Sequence, residues 1–583
     1  MCHNYTTEQT SLPLSIQEET CVSIKRNYKP TFIPYNNQQS VAIFDIQDLI
    51  PSDHVVRVID QMIENVEEEL FFVHYQGGGR SSFHPKMMTK VILYAYTQKV
   101  YSCRGIAKLV EENIPAMWLA ALQKPDYRTI NRFRTVQMEK LLPKLFEDMI
   151  RQLIDQKHIT MENYFLDGTK IEANANKYTF VWKKATTKYE EKLREKIDGV
   201  YQEIQAIIDE EGQELLSNQG IVAEEQLVYL EERLEEKISK ETAVIQKETD
   251  INIRKEKRRA LSPIKKLLKA VREDYSPRLM KYKKQNELFG DRNSYSKTDT
   301  DATFMRMKED HMQNGQLKPG YNIQMATENQ FILFYTIHQR PTDIRCFKPH
   351  MEALKQTSLP FPKNVIADAG YGSEDNYLYS IDEHFEALIP YNTFLTEQKR
   401  SYQKDIRHAS NWDYNEQNDT YRCPNNRKIE FKRYSRRTDK YGFTRDFKIY
   451  ECEDCSDCPL KSKCTKSKGN RQIHYNTVYE ELKAKAKTSL WSESNAHIYA
   501  RRKVEVESVF GHIKGNRAFR RFSLRGLTKV QTEFGIVAMA HNLLKIAGIH
   551  QLFLGKNEKN LKTGEEKQFV FLHLFYFRDL LDS

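Results

Sequence analysis

No run of about 18 apolar residues occurs in the chain, so no segment reads as a bilayer-spanning helix. The opening residues, MCHNYTTEQTSLPLSIQEETC, lack a basic stretch followed by an apolar core. No secretory signal is read there, and the cytoplasm is the expected compartment. Apolar residues are scarce, 39% of 583, against a globular average of roughly 45–50%. With 29% of residues charged, part of the chain must be solvated helix or tail. Cysteine is also sparse and uneven: of nine, five fall between Cys423 and Cys464. A reducing cytosol argues against disulfides in that cluster, and Cys2, Cys21, Cys103 and Cys346 look solitary. Acidic residues fall short of basic ones, 80 against 90, which leaves a net charge of +10. A polyanionic partner fits that balance, but charge alone does not establish one.

The length allows three to five structural units at roughly 100–200 residues each. Residues 1–40 are polar and aperiodic and read as a flexible segment. Residues 41–158 read as a helical, DNA-binding domain: Ser52 and Asp53 are N-cap types, followed by Val55, Val56, Ile59, Met62, Ile63 and Val66 at helical spacing. Its short helices carry the basic tips Arg104, Arg128, Arg132 and Arg134, which suit a helix-turn-helix reader as well as an ordinary bundle. Residues 159–182 change character: an apolar run delivers Asp167, a turn is expected at Gly168, and a second short strand follows. Residues 183–290 form a helical coiled-coil insertion, with Leu193, Ile197, Val200, Ile204 and Ile207 at alternating spacings of four and three. Residues 291–395 return to α/β patterning, and NVIADAGYGSEDN reads as a buried strand ending in Asp368. Residues 396–490 form a cysteine-bearing insertion, 491–550 are helical, and 551–583 are a tail whose apolar stretch, FVFLHLFYF, has no assigned role.

With both insertions removed, the order is a strand with Asp167, two strands, a helix, a strand with Asp368, a helix, a strand, then a helix with Glu507. This fits the α/β class and a ribonuclease H-like core, in which the first and fourth strands lie side by side. Three acidic side chains in that arrangement suit a pair of Mg²⁺ or Mn²⁺ ions. Such ions, about 3.5–4 Å apart, serve phosphodiester chemistry, and hard cations prefer carboxylate oxygens. Asp167 and Asp368 each precede glycine, so each also reads as a turn residue. Glu505 competes with Glu507, because both flank the apolar stripe Val506, Val509, Phe510 and Ile513. The small Gly511 beside Glu507 leaves room for metal and phosphate.

Three segments carry a resemblance. FLDGTKIEANANKYTFVW, NVIADAGYGSE and VEVESVFGHIKGNRAFRRFSLRG resemble signatures of bacterial insertion-sequence DDE transposases of the eleven-eighty-two group, as do KPGYNIQ and TDTDATFMR. The resemblance covers roughly residues 40–550. It implies an enzyme that binds the inverted-repeat ends of its element, cuts them, and joins them to target DNA. It further implies Asp167, Asp368 and Glu507 as catalytic metal ligands, and a homodimer or larger assembly on double-stranded DNA. Relatives space a Tyr, an Arg, the catalytic Glu and a Lys at fixed intervals. Here Glu507 and Lys514 keep the last interval, but Lys503 fills the Arg slot and Ala500 the Tyr slot, with Tyr499 one position off. The roles of Tyr499, Arg501 and Arg502 stay open on sequence alone.

Lys503, Lys514, Arg517, Arg520 and Arg521 read as a phosphate track next to such a site. A solvated helix face is the plain alternative for that run. Cys452, Cys455, Cys458 and Cys464, with Cys423 upstream, have spacing that suits a structural Zn²⁺; unligated thiols are the plain alternative. Two rival functions remain: a metal-dependent nuclease without strand transfer, and a non-catalytic DNA-binding protein.

Overall fold

The computed structural model describes residues 45–73, 82–209, 223–307 and 315–563. The expected flexible N-terminal segment and the FVFLHLFYF stretch lie outside these residues. Among the described residues no helix is long and apolar enough to cross a membrane.

The helical periodicity after residue 50 folds into α1 (Val55–Glu64), α2 (Pro85–Thr97), α3 (Cys103–Glu112) and α4 (Met138–Asp155). His54, rather than Ser52 or Asp53, caps α1: its Nδ1 accepts from the Val56 amide at 3.2 Å. Proline at the first turn starts α2, where its missing N–H costs nothing, and α2 is buried along its whole length. Arg134, expected as an exposed basic tip, is buried and donates to the Tyr96 hydroxyl and the Tyr101 carbonyl.

The central sheet is built from β1 (Asn163–Glu172), β2 (Thr303–Arg306), β3 (Leu317–Glu328), β4 (Phe331–His338), β5 (Asn364–Ile366) and β6 (Glu386–Leu388). Its order is β2-β3-β1-β5-β6, with β4 also on β3. The β1/β3 and β3/β4 pairs are antiparallel, and β1/β5 and β5/β6 are parallel. The β3–β4 hairpin closes on two residues, Asn329 and Gln330, both at positive φ; primed turns of that kind match the strand twist. No turn falls at Gly168, which lies inside a continuous β1. A Cβ there would sit 2.2 Å from an oxygen of Asp343, so glycine serves close approach rather than a bend.

The insertion after β1 is a helical unit: α5 (Lys183–Asp209), α6 (Ala223–Lys247), α7 (Ile251–Ala270) and α8 (Ser276–Phe289). Leu193 and Ile197 of the expected seam are buried with Leu230, Leu234 and Leu261 in a core of their own. Two short helices, α9 (Phe347–Lys355) and α10 (Glu374–Asp382), flank the parallel strands. The cysteine-bearing insertion is an antiparallel sheet of β7 (Asp413–Asn415), β8 (Thr420–Arg422), β9 (Lys428–Thr438), β10 (Thr444–Cys452) and β11 (Gln472–Tyr475). It leads into α11 (Thr477–Trp491), α12 (Glu493–Ala500) and, after an irregular stretch, the long α13 (Leu527–Thr563).

Helix α13 ties the layers together. Asn542, fully buried, accepts from the Ile332 amide and donates to the Ile332 carbonyl, at 2.8 and 2.9 Å. Both groups belong to the sheet-edge strand β4, which would otherwise expose them. The TDTDA stretch is structural. Asp301 accepts from the Leu527 amide at the start of α13, and Asp299 accepts from the Tyr321 hydroxyl and the Gly526 amide. Glu533 accepts from the amides of Ser523 and Leu524 and thereby fixes the preceding loop.

Candidate active site

Asn163, Tyr164 and Phe165 pair in parallel with Asn364, Val365 and Ile366. Asp167 and Asp368 each follow the last residue of this β1/β5 pairing by two positions, so they stand at the same height, Asp167 within β1 and Asp368 just past the end of β5. Asp167 is buried, 5% exposed, and its Oδ1 accepts from the Gly168 amide at 2.7 Å. Asp368 ends β5 by capping the short turn Ala369–Tyr371, its carboxylate accepting from the Gly370 amide at 2.8 Å.

The third carboxylate arrives on the segment between α12 and α13, which is not a plain α-helix. Lys503–Glu507 and His512–Asn516 are π-helical, separated by a short α-helical turn at Ser508–Gly511. Each π turn takes up one residue more than an α turn, which resets the spacing of everything downstream. The mismatch of one position seen in the sequence is absorbed here. Arg502, not Lys503, faces Asp167: its guanidinium lies 3.6 Å from Asp167 Oδ2 and 3.5 Å from Glu507 Oε1. Tyr499 bonds to Arg502 and lies in the field of Asp368 and Asp167; burial first, then those carboxylates, push its hydroxyl pKa up against the opposing pull of Arg502.

The two candidate glutamates part ways. Glu505 is buried, 4% exposed, and its carboxylate accepts from the Gln330 amide at 2.8 Å and from Arg501 Nη2 at 2.6 Å. It clamps the β3–β4 turn. Glu507 keeps a half-exposed side chain and turns toward Arg502 and the Asp167 side. An added Cβ at Gly511 would meet nothing within 4 Å, so the space beside Glu507 is open.

Behind β1 a polar network that motif reading missed braces the site. Asp343 Oδ1 accepts from Asn322 Nδ2 and Gln324 Nε2 at 2.8 and 2.9 Å, and Gln324 Oε1 accepts from the buried Tyr371 hydroxyl at 2.5 Å. Gln324 pairs with Gly168, so this network lies on the strand face opposite Asp167. The signal was present in KPGYNIQ, where Asn322 and Gln324 stand two apart and share one face.

The expected basic track is only partly a track. Arg517 is buried, 2% exposed; its guanidinium donates to the Tyr96 carbonyl, and its own carbonyl accepts from Tyr101. It pins the N-terminal helices to the C-terminal layer and is not a DNA contact. Lys514, within the second π-helical stretch, is likewise buried. Arg521 is exposed, and its guanidinium donates to the carbonyls of Ala173 and Ala175. Lys503, Arg520, Arg128 and Arg132 are exposed.

Cys423, Cys452, Cys455, Cys458 and Cys464 line one pocket in the small sheet domain. Burial and the neighbouring Cys455 thiol push the Cys452 thiol up to about 12. Among the described residues, no three Cys, His, Asp or Glu side chains already stand as a metal-holding group, here or at the carboxylates. The donor chemistry of the carboxylates still fits hard divalent ions: Asp167, Asp368 and Glu507 offer only oxygens, and two of them already share one cation, Arg502.

Comparison with known families bears on this arrangement. A family model described as "Transposase DDE domain" matches residues 422–547, and one described as "Transposase domain (DUF772)" matches residues 44–136. These matches support a transposase. The first spans Glu507 and the cysteine-lined pocket but neither aspartate; the second spans α1 to α3. No curated protein matches the chain.

Proposed function

We propose that this transposase binds the inverted-repeat ends of an insertion sequence of the eleven-eighty-two group, cleaves DNA strands there, and joins the freed 3′-hydroxyl to target DNA. The observation that carries the reading is the equal height of Asp167 and Asp368 on adjacent parallel strands, with Glu507 linked to Asp167 through Arg502. The strand order agrees with a ribonuclease H-like core. Asp167 and Asp368 sit on short side chains fixed by backbone amides, which suits ligands that must not move during the reaction. Glu507 reaches in from a helical segment on a longer stem. These three would hold Mg²⁺ or Mn²⁺, which activates the attacking oxygen and neutralises charge at the phosphate. Arg502 keeps the carboxylates from repelling one another, and Tyr499 holds Arg502. Exposed Lys503 and Arg520 line the approach for DNA phosphates, and Arg128 and Arg132 serve the N-terminal helical domain in the same way. Two ends are processed together, so the working form is a homodimer or larger assembly.

The test uses duplexes carrying the element ends with Mg²⁺. Wild type yields cleaved ends and joined product, and Asp167→Ala yields neither while still binding DNA. Cleaved ends without joined product would leave a nuclease. Cleavage surviving in Asp167→Ala would reject the site.

A further inference from the structure

We propose that the two-stranded β9–β10 ribbon is a second DNA-contacting surface, gripping duplex phosphates beside the carboxylate site. This rests on the DNA-processing reading above. Strand β8 pairs only with the Lys428 end of β9, and β11 pairs with β10 only over Lys448–Glu451. Beyond those points β9 and β10 run on as a bare ribbon, from Ser435 opposite Phe447 to Thr438 opposite Thr444. A ribbon of this width fits along the major groove.

Its charges are lopsided. Asp446 is taken by Arg436 at 2.9 Å, and Asp439 by Arg345 and Arg445. Arg433 and Arg437 are exposed; neither has a carboxylate within ion-pair distance among the described residues, and Arg433 shares the field of Glu451 with Lys432, which holds that carboxylate at 2.6 Å. They crowd His474: Arg437 donates to its Nδ1 at 2.8 Å, and burial together with Arg437, Arg471 and Arg433 lowers the pKa of that ring. Guanidiniums gathered around one histidine repel one another, and a polyanion offsets that cost. Arg433 and Tyr434 stand at the root of the ribbon, where β10 still pairs with β11, and Tyr434, 71% exposed, adds an aromatic surface there.

The ribbon is also held where DNA would pass. At its tip the Arg345 guanidinium lies 3.4 Å over the Tyr441 ring. Arg445 reaches Glu374 at 3.3 Å, and Glu374 opens α10 just after the Asp368 turn. Anchoring at both ends leaves little ordering cost on binding.

The experiment measures fluorescence anisotropy of full-length protein with labelled duplexes, with and without the element ends, across a salt series. Arg433→Ala/Arg437→Ala should bind both duplexes roughly 10- to 100-fold more weakly at about 0.1 M salt, and the slope of log K against log salt should shrink by about 2. Arg433→Lys/Arg437→Lys should retain most of the affinity. Unfolding temperature should not move, since both side chains are exposed. Unchanged affinity and slope, or a change in oligomeric state instead, would overturn the ribbon assignment alone. A wild type that binds no duplex would sink the underlying reading instead.

Discussion

Exchanging the two neighbouring glutamates for alanine separates structure from chemistry at the site. Glu505 is almost wholly buried, and its carboxylate accepts one backbone and one guanidinium hydrogen bond. Glu505→Ala leaves the Gln330 amide at the hairpin tip without its partner and Arg501 without its carboxylate. Charge-assisted hydrogen bonds contribute about 1.5–3 kcal/mol each when buried. The Arg501 side chain is 41% exposed, so its share is screened toward the low end. The expected loss is about 2–4 kcal/mol, which lowers the unfolding temperature by roughly 5–15 °C for a domain of this size. Glu507→Ala removes a half-exposed side chain whose nearest cation is 3.5 Å away; such exposed pairs contribute about 0–1 kcal/mol. Its unfolding temperature should stay within a degree or two of wild type, while metal-dependent cleavage falls by about 10³-fold or more, the scale of losing a transition-state charge partner. Calorimetry and a cleavage assay on both variants give the answer. If Glu505→Ala keeps its stability but loses cleavage, and Glu507→Ala still cuts, the assignment is wrong.

Gly168→Ala drives a methyl to within 2.2 Å of Asp343 and 2.5 Å of Gln324. It should cost about 1–3 kcal/mol of overpacking, read as a lower denaturant midpoint; a neutral result would show that the bracing network yields. Burial lowers His338 to about 4 and His541 to about 3. Their folded forms therefore stay neutral where the unfolded chain, at about 6.5, takes up protons. Stability should be intact above pH 6.5 and fall by up to about 1.4 kcal/mol per pH unit per histidine as pH drops toward 4. Denaturant midpoints at pH 7.5 and 5.5 check this, and a smaller drop is expected for His338→Asn; an equal or larger drop in that variant would contradict it. For the cysteine-lined pocket, elemental analysis of purified protein should find about one zinc per chain, lost in Cys452→Ser/Cys455→Ser. Zinc-free wild type that unfolds at the same temperature with and without chelator would mean plain thiols.

The local features were largely legible. Buried runs bounded by turn residues placed the strands carrying Asp167 and Asp368, and the apolar periodicity placed the N-terminal helices. Leu193 and Ile197 announced the insertion's core because a repeating stripe needs only its own helix and a partner. Errors came where a residue's role depends on something distant. Gly168 looked like a turn because Asp-Gly is a common turn pair; it is a strand residue that admits Asp343 from another loop. Arg134 and Arg517 looked like DNA contacts because exposed arginine is the usual fate, yet Arg134 is buried within the helical layer and Arg517 between that layer and the C-terminal one.

By itself the sequence determined the α/β class, the strands that carry Asp167 and Asp368, and the transposase resemblance, since each rests on residue type and short-range spacing. Tertiary structure alone decided which glutamate faces the aspartates. A helical wheel assumes a constant rise and turn, and the π-helical stretches at 503–507 and 512–516 break that assumption. In the first of them Glu505 turns inward to the Gln330 amide, while Arg502 just before it lies between Asp167 and Glu507. The Glu505–Gln330 and Arg502–Asp167 contacts join residues more than 170 positions apart, and no local pattern encodes them.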